Sequence, residues 1–564
     1  MTDGDGAPRA LDDGALYFLP LGGTDEIGMN LYLYGLDGKW LMVDLGIAFG
    51  DDSTPGIDIV MPDPEFIEER RADLAGLILT HAHEDHFGAI QYLWPRLRCP
   101  IYATPFAAAF LRLKLQECDF ADEVEIIEVP LSGTVAVGPF SVEFVTVTHS
   151  IPEPNALVIR TRYGAVVHTG DWKLDPEPLL GRIADEARLR QAGDAGVLAL
   201  VCDSTNVLEP GRSGSEAAVR AALTELIGRQ PGRVAVTCFS TNVARLQSIA
   251  EAAHANGRHC ALIGRSLWRI HQAATSTGYL DPPEPFVTEH DAGFLPPDKV
   301  VLVCTGSQGE PRSALTRIAR DDHPNIVLEA GDTVIYSARA IPGNEKPINR
   351  VRNFLVGQGV TVVSPDDAPG DAPIHVSGHP ARDELVEMYQ WLRPTVAIPV
   401  HGETMHLLEH ARLARDCQVP QALVPENGAL IRLAPGRAEI VDRVVAGRLA
   451  LDGTRLIRLS SEAVRERHRM ACNGAVMATV VLDGQGRVAV DPQVALMGLE
   501  DVDELSELQK LVADAVRGAV DRLPTLSRRD DDTVRETARI AARRAIKGRQ
   551  GKRPMTQIHL VRPR

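Results

Sequence analysis

The densest chemistry in the chain lies in six consecutive positions, His81-Ala82-His83-Glu84-Asp85-His86, which follow the apolar run Ala75-Gly76-Leu77-Ile78-Leu79 and Thr80. Imidazole nitrogens and carboxylate oxygens suit Zn²⁺ or Mn²⁺ and need no thiolate. The cluster reads as a two-metal binding loop, and two metals imply hydrolysis; a solvated polar turn would not need four ligand-type residues so close together. Six positions cannot saturate two metals, so further ligands are expected at other strand ends. The chain supplies His149 after the strand-like 142–147, Asp171 after 166–170 and His401 after 396–400. Each alone could be an ordinary loop residue; together with the cluster they form a consistent set.

The elements that must hold these residues come in two rhythms. Short apolar runs separated by Gly-rich turns, at 16–21, 31–34, 40–44 and 77–80 and again between 135 and 202, predict a sheet-rich domain. After Asn206 the pattern becomes strand and amphipathic helix in alternation, which predicts an α/β unit with a parallel sheet. Short strands return near 395–400 and 429–433. Ligand-rich segments on both sides of the α/β block imply that it is inserted into the first domain. The expected organisation is a disordered, acidic 1–14, a first domain in two parts (15–206 and 361–449), the insertion at 207–360, a charged linker at 450–470, and a small α+β domain at 471–564. In that last domain, strands are expected near 475–482 and 487–490, with a helix at 504–520.

Composition bounds the rest. At 564 residues the chain exceeds one core, and 44% hydrophobic with 24% charged residues is globular. No apolar run is long enough to span a bilayer, and the acidic start is no signal peptide, so no membrane association and a cytoplasmic location are expected. Eight cysteines scattered singly read as free thiols of a reducing compartment. The net charge of −17 disfavours a general nucleic-acid coat. From Arg528 to Arg564 the balance reverses, with twelve Lys or Arg against four acids. A solvated helix face is the commoner cause of such a run, an RNA or protein contact the other. Gly306-Ser307-Gln308-Gly309 lacks the P-loop pattern, so ATP binding is not supported. Asp51, Asp52 and Asp58 could hold a structural Ca²⁺, although they lack the EF-hand pattern.

Thr80 to His86, His168-Thr169-Gly170-Asp171 and Pro399-Val400-His401-Gly402 resemble the metallo-β-lactamase superfamily. Asp44, in Val43-Asp44-Leu45-Gly46, matches the carboxylate that orients the metal loop. Asp203, His379 and His401 match the three extra motifs of the β-CASP nucleases. Phe239-Ser240-Thr241-Asn242, Thr305-Gly306-Ser307-Gln308-Gly309-Glu310 and Ile341-Pro342-Gly343-Asn344-Glu345-Lys346 narrow the resemblance to the bacterial ribonuclease J family. It implies an α/β fold: a metallo-β-lactamase αββα sandwich with an inserted α/β β-CASP domain and a small α+β C-terminal domain.

The resemblance also implies the site. One metal takes His81, His83 and His149, the other Asp85, His86 and His401, and Asp171 bridges them, giving two Zn²⁺ per subunit with Mn²⁺ or Mg²⁺ as alternatives in activity. Such a pair makes hydroxide near neutral pH for attack on the phosphodiester. Asp85, His379 and Asp203 are the catalytic residues, His379 serving as the acid that protonates the leaving oxygen and Asp203 holding it. An imidazole at position 401 favours RNA over DNA. His375, Val376, Ser377, Gly378 and His379, with Ser240, Thr241 and Asn242, are expected to form a pocket for the 5′ monophosphate, His375 adding positive charge and Phe239 lying near a base. The activity expected is 5′-to-3′ exonucleolytic release of mononucleotides, with endonuclease action, in mRNA decay and rRNA processing. Expected partners are RNA with a 5′ monophosphate, a second copy in a homodimer or homotetramer formed partly by residues after Ala450, and proteins of an RNA-degradation complex. The alternatives are a small-molecule hydrolase of the same superfamily and a non-catalytic scaffold for RNA processing.

Overall fold

The computed structural model describes residues 14–51, 53–341, 343–367, 372–501 and 504–563. The acidic segment expected to be disordered lies outside these, except for Gly14, as does Asp52 of the candidate Ca²⁺ loop. The chain divides into two compact units, one formed by residues 1–48 and 61–447 and the other by 49–60 and 448–564.

In the first unit two sheets pack face to face. One has eight strands in the order Glu439–Arg443, Ala429–Ala434, Leu16–Gly22, Leu31–Leu36, Lys39–Val43, Leu74–Ile78, Ile101–Ala103 and Ile126–Glu128. The other has seven, Gln421–Ala422, Val396–Val400, Val197–Asp203, Gly164–His168, Asn155–Thr161, Phe140–Thr146 and Thr134–Val137. Side chains alternate along each strand. Phe18, Tyr34, Leu41 and Val43 of the first sheet therefore meet Val142, Phe144, Leu157 and Val201 of the second in one core. The opposite face of the seven-stranded sheet carries Val145, Val158, Leu200 and Ala397, which are covered by Leu189, Leu385, Met388 and Leu413 from helices Glu186–Ala195, Arg382–Leu392 and Thr404–Asp416. Coverage on both faces explains why these strands read as nearly unbroken apolar runs. This is the αββα sandwich.

Within the same unit, Val234–Thr237, His259–Ile263, Val300–Cys304, Thr333–Tyr336 and Thr361–Val363 form a separate five-stranded sheet, parallel throughout, with helices between its strands. This is the inserted β-CASP layer. It is tied to the sandwich by Tyr279, whose hydroxyl donates to Glu153 at 2.9 Å, and by the ion pair of Arg269 with Glu117 at 2.5 Å.

The second unit has a sheet ordered Gln493–Met497, Ala475–Val481, Met555–Val561, with helices Leu505–Asp521 and Asp531–Gln550 on one face through Val512, Val516, Val534, Ala538 and Ile546. The sequence expectation differs here in two places. The charged stretch read as a linker contains the antiparallel hairpin Arg448–Asp452 with Arg455–Arg458 and then helix Glu462–Asn473. Its charges are paired locally, as in Arg467 with Asp452 at 2.6 Å, which lets polar sequence fold regularly. The strand expected at 487–490 is only a bridge from Val488 to Leu482, because Asp483 closes a turn by accepting the amides of Gln485 and Arg487; the third strand comes later, at Gln493–Met497. Among the described residues no helix is long and apolar enough to cross a membrane.

Candidate metal centre

Strand direction brings the predicted residues together. Gly164–His168, Val197–Asp203 and Val396–Val400 run parallel, so Asp171, Asp203 and His401 leave the sheet at one edge. Phe140–Thr146 is two antiparallel steps from Gly164–His168 and therefore points the same way, which delivers His149 there. The neighbouring sheet contributes the loop after Leu74–Ile78. Carboxyl ends of parallel strands are where such folds collect ligands.

Seven of the predicted residues converge. Ligand atoms of His81, His83, His149 and Asp171 lie within 4.8 Å of one another, as do those of Asp85, His86, Asp171 and His401. Asp171 belongs to both sets, and its Oδ2 is 3.8 Å from His81, 3.7 Å from His149, 3.2 Å from His86 and 3.5 Å from His401. His83 Nδ1 faces His81 Nε2 at 3.1 Å and His149 Nε2 at 3.0 Å. Three ring nitrogens cannot all be satisfied by sharing protons at that spacing. Asp171 Oδ1 and His401 Nε2 are buried with no hydrogen-bond partner. Facing lone pairs and orphaned buried acceptors fit divalent cations.

The outer atoms of these ligands are held. His86 Nδ1 donates to Asp44 Oδ2 at 2.7 Å, and Asp44 also accepts the Thr80 amide at 2.8 Å and the Thr80 hydroxyl at 2.7 Å. His149 Nδ1 donates to the Gly378 carbonyl at 2.5 Å. Such partners fix tautomer and ring direction. Asp44 and His401 both sit in the left-handed region, with φ of 61° and 54°, a conformation that costs roughly 1 kcal/mol or more per residue. The strain turns each side chain into the cluster.

Charge follows the same geometry. Burial pushes His81 and His149 well down and His83 down to about 4, so these three are neutral and able to ligate. Burial also acts against protonated His86, but Asp171, Asp85 and Asp44 outweigh it and raise that imidazole. The same negative field that would protonate His86 favours a metal cation. At His379 burial again opposes the charged form, while Asp203 and Asp171 outweigh it and lift the pKa to about 9. Asp203 Oδ2 accepts from His379 Nδ1 at 2.8 Å, and its Oδ1 accepts from the Thr205 amide and hydroxyl at 2.9 and 2.7 Å.

The loop 374–379 carries the expected phosphate groups in altered roles. Ser377 Oγ accepts from Asn206 Nδ2 at 2.6 Å and keeps its own proton available to donate. His375 does not supply positive charge: burial first, then the cations Arg245, Lys173 and Arg339, hold its pKa far down, leaving a neutral ring whose Nδ1 has no partner. Val376 is buried against Gly214, so only its backbone is available. Asn242 Oδ1 caps helix Val243–Ala255 by accepting the Arg245 amide at 2.8 Å, which leaves only its Nδ2 to donate elsewhere. Phe239, Ser240 and Thr241 are half-buried. Asp51 of the candidate Ca²⁺ loop accepts instead from the Ser53 amide and hydroxyl at 2.8 and 2.5 Å.

Several supporting residues were not foreseen. Asn30 places its amide 3.0 Å from His86 Nε2 and its Oδ1 3.0 Å from His401 Nδ1, while Tyr32 donates to that Oδ1 at 2.7 Å. Gly46 allows the metal loop to pass, since a Cβ there would stand 1.6 Å from the Asp85 carbonyl. Arg245, wholly buried, pairs with Glu216 at 3.0 Å and donates to the Ser337 carbonyl at 2.6 Å, and Ser337 Oγ donates to the Ile374 carbonyl at 2.6 Å, steadying the start of the 374–379 loop. Ser204, His410 and Tyr389 form a buried chain, with His410 Nδ1 2.8 Å from Ser204 Oγ and Nε2 2.9 Å from the Tyr389 hydroxyl. No ligand-type spacing marks any of these.

The chain matches family models described as Metallo-beta-lactamase superfamily over residues 25–237, Ribonuclease J, beta-CASP domain over 231–355, Zn-dependent metallo-hydrolase RNA specificity domain over 372–420, and Ribonuclease J C-terminal domain over 462–562. It is 46% identical over 555 residues to "Ribonuclease J" of Sinorhizobium meliloti, covering 98% of each chain. It is 38% identical over 513 residues to "Ribonuclease J" of Corynebacterium glutamicum, covering 89% of this chain and 70% of the other. A solved structure of a protein of unknown function from Enterococcus faecalis shares the fold at a TM-score of 0.50 and 18% identity, with coverage of 74% of this chain and 100% of that one.

Proposed function

The chain belongs to the ribonuclease J family and is a metal-dependent ribonuclease, and from that premise we propose that it degrades 5′-monophosphorylated RNA from the 5′ end, one mononucleotide at a time, and also cuts RNA internally. Membership sets aside the small-molecule hydrolase and the scaffold. The mRNA decay and rRNA processing roles belong to the same proposal.

His81, His83 and His149 would hold one metal and Asp85, His86 and His401 the other, with Asp171 shared. Zn²⁺ is the first choice because nitrogen donors predominate. Two such ions when bound supply Lewis acidity and a hydroxide nucleophile at neutral pH. His379 carries the proton for the leaving 3′ oxygen on Nε2, because Nδ1 is engaged with Asp203 and the field of Asp203 and Asp171 keeps the ring cationic.

End recognition rests on one observation. The Ser377 hydroxyl and the Gly378 amide have no acceptor among the described residues, and their loop leads directly into His379 and touches the metal centre through the Gly378 carbonyl and His149. A phosphate held there would sit close to the reacting phosphodiester. Ser240 and Thr241 can add hydroxyls and Phe239 a stacking face.

The C-terminal sheet supports self-association: alternation leaves Met477 and Met497 on the face opposite the helices, 52% and 47% exposed. A homodimer or homotetramer through that face would show in light scattering.

The deciding experiment gives metal-loaded protein RNA with a 5′ monophosphate, triphosphate or hydroxyl, labelled uniformly or at the 3′ end. Mononucleotides released from the monophosphate RNA alone, and lost in Ser377→Ala, support the reading. Internal fragments of equal yield from all three would overturn the end pocket.

A further inference from the structure

The basic run near the C-terminus has a physical arrangement that the catalytic reading leaves unused. Arg543, Arg544, Lys547, Arg549, Lys552 and Arg553 put six cations into eleven residues with no acid among them. They occupy the last turns of helix Asp531–Gln550 and the turn beyond Gly551, whose φ of 74° ends the helix. The first half of the same helix behaves differently. There Arg535 pairs with Asp532 at 3.0 Å and Arg539 with Glu536 at 2.6 Å. None of the six forms an ion pair among the described residues. Two acids near this end are already engaged: Glu536 is held by Arg539, with Arg543 adding a smaller attraction, and Glu500 accepts from Gln550 at 2.5 Å.

Helix electrostatics explain part of this. Cations in a last turn complement the carbonyl end of a helix, which accounts for Lys547 and Arg549. Lys552 and Arg553 lie past the cap, where the turn is pinned by the Arg553 amide donating to Asn473 Oδ1 at 3.1 Å, so the charges are held together and not dispersed on a loose tail. Unpaired like charges in a chain of net charge −17 call for an external polyanion. The apolar side of the helix, with Ala538, Ala542 and Ile546, is used up in the domain core. No aromatic or aliphatic anchor remains among the six cations, as a protein interface or a membrane-lying helix would need.

We propose that this cationic end of the C-terminal domain is an RNA-binding surface that grips the phosphate backbone of long substrates without reading sequence. It rests on the reading that the substrate is RNA and adds a second contact on the same chain, which raises affinity for RNA long enough to reach both.

The test uses full-length, metal-loaded protein with Arg544, Lys547, Arg549, Lys552 and Arg553 changed to Gln. Binding of a long unstructured RNA and of a short 5′-monophosphorylated oligonucleotide is titrated across salt concentrations, beside cleavage of the short one. The expected result is a weaker affinity for the long RNA, a salt slope flatter by about 3 to 4, from about 0.7 per cation removed, and unchanged cleavage of the short oligonucleotide. A second variant with Arg544→Lys, Arg549→Lys and Arg553→Lys keeps the charge and should bind as the wild type does, which separates charge from folding. Unchanged long-RNA affinity and slope in the Gln variant would overturn the proposal, as would wild-type protein that binds polyglutamate as tightly as RNA. Wild-type protein that cleaves neither RNA would instead overturn the functional reading, and this one with it.

Discussion

Replacing Gly378 with alanine should disable the metal centre through a single methyl group. The Cβ would lie 2.6 Å from both Cε1 and Nδ1 of His149 and 3.0 Å from Ser150 Oγ. Ordinary contact begins near 3.4 Å, so the ring must retreat by about 1 Å, and it cannot pivot freely because its Nδ1 is anchored to the Gly378 carbonyl. Gly378 is not in the left-handed region, so the backbone tolerates alanine and the amide is kept. The whole effect then falls on a ligand position. Displacing a catalytic group by about 1 Å costs on the order of 10²-fold in rate, equivalent to about 2.7 kcal/mol at the transition state. Overpacking should cost only about 1–3 kcal/mol in stability. The assay combines kcat/KM on 5′-monophosphorylated RNA, metal content by mass spectrometry and the unfolding midpoint. A folded variant with full metal content and activity within about threefold of wild type would refute the argument that this glycine is required by His149.

Three further outcomes are expected. Asp171→Asn should remove the anion common to both ligand sets and leave protein that retains much less than two equivalents of metal after dialysis; full retention would sink the bridging role. Lys173→Met should strand buried Asp175, now 3.1 Å from the ammonium, and destabilise the fold by about 3–5 kcal/mol in denaturant titration. Burial raises the Asp175 pKa, but Lys173 together with hydrogen bonds from the Glu216 and Glu177 amides and Ser215 outweighs it and the net shift is downward, so the wild-type contribution is complete above the unfolded carboxylate range, near 3.9, and is lost as pH falls through the depressed folded value; a variant as stable as wild type at pH 7 would contradict this. His410→Phe keeps volume but breaks both bonds of the Ser204–His410–Tyr389 chain, and should lower kcat roughly tenfold or more with KM little changed, as judged by steady-state kinetics; a pure rise in KM would point elsewhere.

Much of the centre was legible because metal ligation constrains residue type and spacing together. His81, His83, Asp85 and His86 announce themselves within six positions, and His149, Asp171 and His401 each follow an apolar run that a strand must bury. The residues behind them were not legible. Asn30 works through a side-chain amide that any loop could carry, and only the register of Leu31–Leu36 against Lys39–Val43 brings it between His86 and His401. Gly46 matters for a close approach to Asp85 across the fold, invisible in a local window. The neutral state of His375 was likewise not legible: residue type suggested a cation, while burial first, then Arg245 and other cations, hold its pKa down.

The Ser204, His410 and Tyr389 chain shows why these hidden residues belong to the site and not only to the core. Ser204 follows Asp203, Tyr389 lies on the helix that begins three residues after His379, and His410 lies on the helix that begins three residues after His401. One buried imidazole therefore joins the three segments that carry Asp203, His379 and His401. Burial pushes His410 down to about 4, so it stays neutral and one ring nitrogen donates while the other accepts, as Ser204 and Tyr389 require. A hydrophobic substitute could fill the space, but it could not satisfy two buried hydroxyls in fixed directions. The positional accuracy of Asp203, His379 and His401 thus depends on a hydrogen-bonded link that none of the three touches through its own side chain.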